Sequence, residues 1–301
     1  MGPPPMVTPK YKVSRVPLAV ACASACALGL VAVPAAPARA ADTITAADQP
    51  YFSYYHHDQA RAKGYTGAGV TIAMIDGPVE TSAPELSGAS IVDNSPCSIE
   101  KTSEATAHGT STAALLVARD YGVVPDATLH AYRTDAGDAA LGSDCIGSDG
   151  VNLAGYPSLI NHAINDGAQI ITLSLSSSDH SDALRWAIAR AMNQGVLITA
   201  SAGNEAQDSN NSHFGWWSGV VGVSAVDTNG ARASYSSWGQ GVTTAAVGGP
   251  ITIRQYPANT LAQSVGTSSS APIVAGFLAM ARQKWPDATS NQLLQLLVHT
   301  T

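Results

Sequence analysis

From Gly69 onward the chain alternates two kinds of segment, and this alternation constrains the fold more than any other feature. Short apolar, β-branched runs recur: GVTIAMID (69–76), ATLHAYRT (127–134), QIITLSLS (169–176), VLITASAG (196–203) and GVVGVSAVD (219–227). Each reads as a buried strand. Between and after them stand helical patterns at 109–120, 156–168, 182–195 and 271–285, with Gly167 and Gly195 as stops and Pro272 expected in the first turn of the last. The segment TSNQLLQLLVHTT (289–301) reads as one more helix. Repeated strand–helix units predict an α/β fold with a mostly parallel sheet, helices on both faces, and chemistry at the carboxyl ends of strands. With 301 residues, 45% apolar and only 12% charged, the chain supports one large domain or two small ones, not a disordered segment.

The first 40 residues have a different character. Lys10, Lys12 and Arg15 precede an apolar stretch from Val16 to Val33, followed by Ala38-Arg39-Ala40. A basic region, an apolar region and an A-x-A site predict a secretory signal peptide cut after Ala40, with an uncleaved anchor as the other reading. Cleavage removes four basic residues and leaves 11 against 22 acidic ones, a formal charge of −11. A secreted acidic chain without a basic patch is a poor nucleic-acid binder. No later run is long and apolar enough to span a bilayer, so no stable span is expected after cleavage, and a monomer is expected.

Of four cysteines, Cys22 and Cys26 leave with the signal and Cys97 and Cys145 remain. In an oxidising compartment the pair most simply forms one disulfide; two free thiols or a metal pair are the rivals, and neither cysteine has a neighbour at zinc spacing. The acids between Asp135 and Asp149 are candidates for structural calcium but lack the EF-hand spacing, so no metal and no cofactor is expected. His56-His57 read as surface residues, and residues 41–64 as an N-terminal extension.

Three polar groups stand where an α/β fold puts chemistry. Asp76 ends the first strong strand, His108 opens the helix of AHGTSTAALL, and Ser268 lies at the entrance to APIVAG. Singly each has a plain reading: a turn Asp, a solvated His, an N-cap Ser. Together they supply the parts of nucleophilic catalysis, since a serine needs a base, and a histidine base needs a carboxylate to fix its tautomer. Asn204, presented by ITASAGNE, supplies an amide that can donate to an oxyanion alongside the Ser268 backbone N–H; its plain reading is a turn residue. From residue chemistry alone, Ser268, Ser269 and Ser270 are equivalent.

The order Asp, His, Ser and the stretches VTIAMIDG, HGTSTAAL, SAGNE and GTSSSAPIVAG resemble those of the subtilases, the subtilisin-like serine proteases (peptidase family S8). The resemblance runs from about Tyr65 to Thr301, and VVGVSAVDTNGARASYSSWGQGV is similar to the family segment between the Asn and the Ser. It implies a three-layer α/β/α fold over 65–301. The family pattern Gly-Thr-Ser-x-x-x-Pro, anchored by Gly266, Thr267 and Pro272, implies that Ser268 is the nucleophile. His108 is then general base, Asp76 its orienter, and Asn204 with the Ser268 amide the oxyanion hole. The implied reaction is peptide hydrolysis through an acyl-enzyme.

The resemblance also implies substrate contacts. An extended protein or peptide substrate would pair beside Ser174-Leu175-Ser176, and Ala200, Ser201, Ala202 and Gly203 would line the pocket for the residue before the scissile bond. Three departures stand out. Gly77-Pro78 replaces Thr-Gly after the Asp, Ser176 replaces Gly, and the chain is expected to end short of the family's usual last elements, with no long propeptide between Ala41 and Tyr65. Two rivals to a general secreted endopeptidase therefore stay open: a catalytically silent binding protein of the same fold, and a processing protease dedicated to one partner.

Overall fold

A computed structural model describes residues 43–100, 102–135 and 143–300. The predicted signal segment, residues 1–40, lies outside them, as do residues 136–142 between the acids considered for calcium. Two short helices, α1 (Pro50–Tyr54) and α2 (His57–Ala62), come first. Then follow β1 (Thr71–Asp76), β2 (Ser90–Asp93), α3 (Ser103–Val117), β3 (Thr128–Arg133), α4 (Tyr156–Asn165), β4 (Ile170–Leu173), α5 (Asp182–Asn193), β5 (Leu197–Ser201) and β6 (Val220–Val226). The chain continues through β7 (Thr244–Val247), β8 (Ile251–Gln255), β9 (Thr260–Ser264), α6 (Thr267–Lys284) and α7 (Ser290–Thr300).

Seven strands form one sheet in the order β2-β3-β1-β4-β5-β6-β7, every neighbouring pair parallel. Side chains alternate across it, as a period of two requires. Ile72 and Met74 of β1 face a core shared with α3, α6 and α7, through Leu115, Leu116, Ile273, Val274, Leu278 and Leu293. Ala73 and Ile75 face the opposite core, with Leu159 and Ile160 of α4 and Leu184 and Ile188 of α5. The architecture is the three-layer α/β/α sandwich that the alternation predicts. From β1 the chain moves to one side of the sheet and later returns to the other through β4, so the switch point lies between β1 and β4, where open α/β sheets place their crevice.

The structure differs from the sequence reading in several places. Helix α3 starts at Ser103 rather than Gly109, with the Thr102 hydroxyl accepting from the Ala105 amide, so His108 sits inside the helix. Helix α6 starts at Thr267, which puts Pro272 at its sixth residue; the ring has no N–H to give to the Ser268 carbonyl. His57 is 1% exposed, not a surface residue. It stacks on Phe277, centroids 5.6 Å apart, within reach of Tyr51, Phe52 and Tyr55, and neither ring nitrogen has a hydrogen-bond partner among the described residues. Burial drops its pKa to about 4, keeping it neutral.

The residues read as an N-terminal extension pack onto the same body. Ile44 and Tyr51 enter the core with α3 and α6. The Tyr51 hydroxyl donates to the Tyr121 carbonyl (2.9 Å), and Gln49 donates to the Thr252 carbonyl of β8 (2.8 Å). Strands β8 and β9 form a separate antiparallel hairpin, fastened by the buried Arg254–Glu85 ion pair.

Candidate active site

The carboxyl end of β1 delivers Asp76 at the switch point, fully buried. Its Oδ1 accepts from the Gly77 amide (2.6 Å) and from Nδ1 of His108 (2.7 Å). Oδ2 is buried and has no hydrogen-bond partner among the described residues. Two residues on stands Pro78, which has no amide proton to offer.

His108 reaches Asp76 because α3 rides directly on the chain leaving β1. A methyl group on Gly77 would lie 2.3 Å from the Ala105 carbonyl oxygen, and one on Gly109 would lie 2.4 Å from the Gly77 oxygen. Backbone meets backbone there, and only residues without Cβ permit it. Because Asp76 Oδ1 can only accept when ionised, Nδ1 carries the proton and the neutral imidazole has its lone pair on Nε2. The charge of Asp76 raises the His108 pKa above its ordinary value against the opposing effect of burial, and Glu104 adds to the rise.

The three serines are not equivalent in space. Ser270 is fully buried and its hydroxyl donates to the Ala246 carbonyl (2.9 Å). Ser269 is 5% exposed and Ser268 half-exposed; both line a cavity of about 530 Å³ together with His108, and Ser268 is the more accessible of the two. Ser268 lies in the first turn of α6, where amides have no intrahelical acceptor and the helix dipole favours negative charge.

Asn204 is held by its oxygen: Oδ1 accepts from the Thr267 amide (2.8 Å) and hydroxyl (3.0 Å). The same hydroxyl accepts from the buried Gly203 amide (3.1 Å). Holding Oδ1 leaves the Nδ2 protons free to act elsewhere. A methyl group on Gly266 would lie 3.0 Å from Ser268 Oγ, 3.3 Å from Asn204 Nδ2 and 3.7 Å from the Ser268 amide nitrogen. A hydroxyl and two N–H donors thus converge on one small space, kept open by the missing Cβ of Gly266. Such convergence of nucleophile and donors is what acyl transfer requires.

The remaining sequence-predicted residues lie nearby. Ser174, Leu175 and Ser176 run past the last ladder pair of β4, and the Ser176 carbonyl accepts from the Tyr156 hydroxyl (3.3 Å). Ser176 is exposed and lines a second cavity, about 800 Å³, with Asp135, Tyr156 and Asp179. Ala200 and Ser201 are buried within the β5 ladder; Ala202 and Gly203 follow it. Cys97 and Cys145 are joined by a disulfide, Cα atoms 5.0 Å apart. Sequence reasoning passed over Thr267 as the holder of Asn204. It also passed over Glu205 and His213, whose Oε2 and Nε2 sit 3.4 Å apart behind Gly203. Burial lowers the His213 pKa against the pull of Glu205.

The family model "Subtilase family" matches residues 67–301. The chain is 33% identical over 256 residues to a thermostable alkaline protease of Halalkalibacterium halodurans, covering 82% of this chain and 66% of that one. It is 31% identical to subtilisin DY of Bacillus licheniformis, covering 81% and 87%. Among solved structures, MycP1 from Mycobacterium smegmatis superposes with a TM-score of 0.67 at 26% identity, covering 84% of this chain and 78% of that one. The chain spans slightly under two thirds of the first of these relatives and most of the second. On the matched family model and these identities, the chain belongs to the subtilases, the family of subtilisin-like serine endopeptidases.

Proposed function

We propose that this chain is a secreted serine endopeptidase that cuts protein or peptide substrates through Asp76, His108 and Ser268. The observation that carries the reading is the meeting of an oriented imidazole, a half-exposed hydroxyl and two donors. The His108–Asp76 bond is 2.7 Å, and Ser268 Oγ and Asn204 Nδ2 lie 3.0 and 3.3 Å from one point at Gly266. The Ser268 oxygen attacks the scissile carbonyl carbon while His108 Nε2 takes its proton. Asn204 Nδ2 and the Ser268 amide hold the resulting oxyanion, and Asp76 stabilises the imidazolium. His108 then gives the proton to the departing amine, leaving an ester on Ser268. Water, deprotonated by the same nitrogen, cleaves that ester and restores the hydroxyl.

Secretion rests on the predicted signal peptide, a basic region, an apolar stretch and an A-x-A site within residues 1–40. The test is labelling of the purified protein, residues 41–301, by a fluorophosphonate probe. Labelling that disappears in Ser268→Ala is expected. A folded protein that stays unlabelled refutes the proposal in favour of a silent binding protein.

A further inference from the structure

Two cavities flank the candidate catalytic groups, and their charged linings share one sign. The cavity of about 530 Å³ lies between α3 and the β8–β9 hairpin and contains both His108 and Ser268. Its one acidic side chain is Glu104, on α3 one turn before His108, and neither lysine nor arginine lines it among the described residues. Glu104 is exposed, and no ion pair among the described residues includes it. The cavity of about 800 Å³ beside Ser176 carries Asp135 and Asp179 and again no lysine or arginine.

We propose, on the basis of the protease reading above, that the cavity between α3 and the hairpin is the subsite for residues after the scissile bond, and that Glu104 selects a lysine or arginine there. A substrate strand beside Ser174–Ser176 places its acyl side over the Ser176 cavity. Its leaving-group side must then exit past Ser268 and His108, into the cavity that those two residues line. A long cationic side chain suits this space: its stem packs along Ala107, Leu115 and Ile253, and its head meets the Glu104 carboxylate. Tyr256, from the hairpin tip, closes the same end of the cavity. Glu104 is close enough to favour the charged form of His108, so its field already reaches the reacting groups. The carboxylates around Ser176 extend the same preference to the acyl side and mark the substrate class as cationic peptide.

The test uses the protein of residues 41–301 and three internally quenched peptides that differ only in carrying lysine, norleucine or glutamate after the scissile bond. Each is made in three versions, with the variable residue first, second or third after the bond. At one position the wild type should prefer lysine over norleucine by about 2- to 5-fold in kcat/KM, the upper part of the range for an exposed charge pair, with the change in KM. Glu104→Gln should abolish the preference, and Glu104→Lys should invert it toward glutamate. Raising ionic strength from about 0.05 to 0.5 M should shrink it, as screening requires. A wild type that accepts fluorophosphonate and cuts all three peptides alike overturns the subsite while leaving the protease standing. A lysine preference that survives Glu104→Lys does the same. A folded protein that neither labels nor cuts overturns both.

Discussion

Replacing Gly109 by alanine tests the link between backbone packing and catalysis. The new methyl would lie 2.4 Å from the Gly77 oxygen and 2.6 Å from the Pro78 oxygen. Both obstacles are backbone, so no side-chain rotation relieves them. Reaching even 3.0 Å demands about 0.6 Å of separation between α3 and the loop after β1. If α3 carries His108 with it, the 2.7 Å bond to Asp76 opens to about 3.3 Å, beyond the range of a charge-assisted hydrogen bond. Two readouts follow. A displacement of this order should lower kcat about 10- to 100-fold with a smaller change in KM. The acid limb of the pH–rate profile should also move. In the wild type, Asp76 raises the His108 pKa, so the neutral base forms only at a pH above the ordinary value of 6.5. With Asp76 further away that support weakens, and the limb should shift to lower pH. Steady-state kinetics on a quenched peptide across pH 5–9, with circular dichroism to confirm folding, measures both. A folded Gly109→Ala protein with wild-type kcat and an unmoved acid limb refutes the argument.

Two further outcomes are expected. Asn204→Ala should reduce kcat about 100- to 1,000-fold with KM little changed, the usual result of removing one oxyanion donor; an equal loss spread into KM would assign Asn204 to ground-state binding instead. Reducing the Cys97–Cys145 bridge, or replacing both residues by alanine, should cost about 4 kcal/mol by the chain-entropy model for its 48-residue separation; an unchanged guanidinium midpoint would contradict that.

Much of the fold is written locally. The buried strands β1, β4, β5 and β6 are mostly apolar runs rich in Ile, Val and Thr, because a sheet covered on both faces asks for apolar residues on both sides of each strand, while β3 shows itself by Leu129, Ala131 and Tyr132. Four strands escaped notice: β2 is an edge strand with Val92 exposed, β9 is half-exposed along its length, β7 is four small residues, and β8 is a short run that ends in Arg254 and Gln255. The order of Asp, His, Asn and Ser was legible from motifs, but not what positions them. Nothing in the letters Gly77 and Gly109 says that they touch, since their contact joins a loop to a helix 32 residues later. The serine triplet is likewise chemically degenerate until packing sends Ser270 inward to Ala246 and leaves Ser268 in the cleft. His57 misled for the same reason: a histidine beside another reads as polar, and only the surrounding aromatic rings make it a core residue.

The way residues 44–67 are fastened bears on the order in which the molecule assembles. Gln49 bonds Thr252 across 203 positions, Tyr55 receives the Val247 amide across 192, and the Thr66 and Gly67 amides both donate to Gln283, more than 215 positions away. Part of the earliest described segment's bonding therefore waits for the hairpin and α6, whereas Ala46 and Tyr51 meet Asp120 and Tyr121 across 74 and 70 positions. These longest bonds carry the larger loop-closure cost, and a nascent chain lacking its last third can dock its beginning only on the segment after α3. A polypeptide built this way is fully fastened only when its last helices have been made.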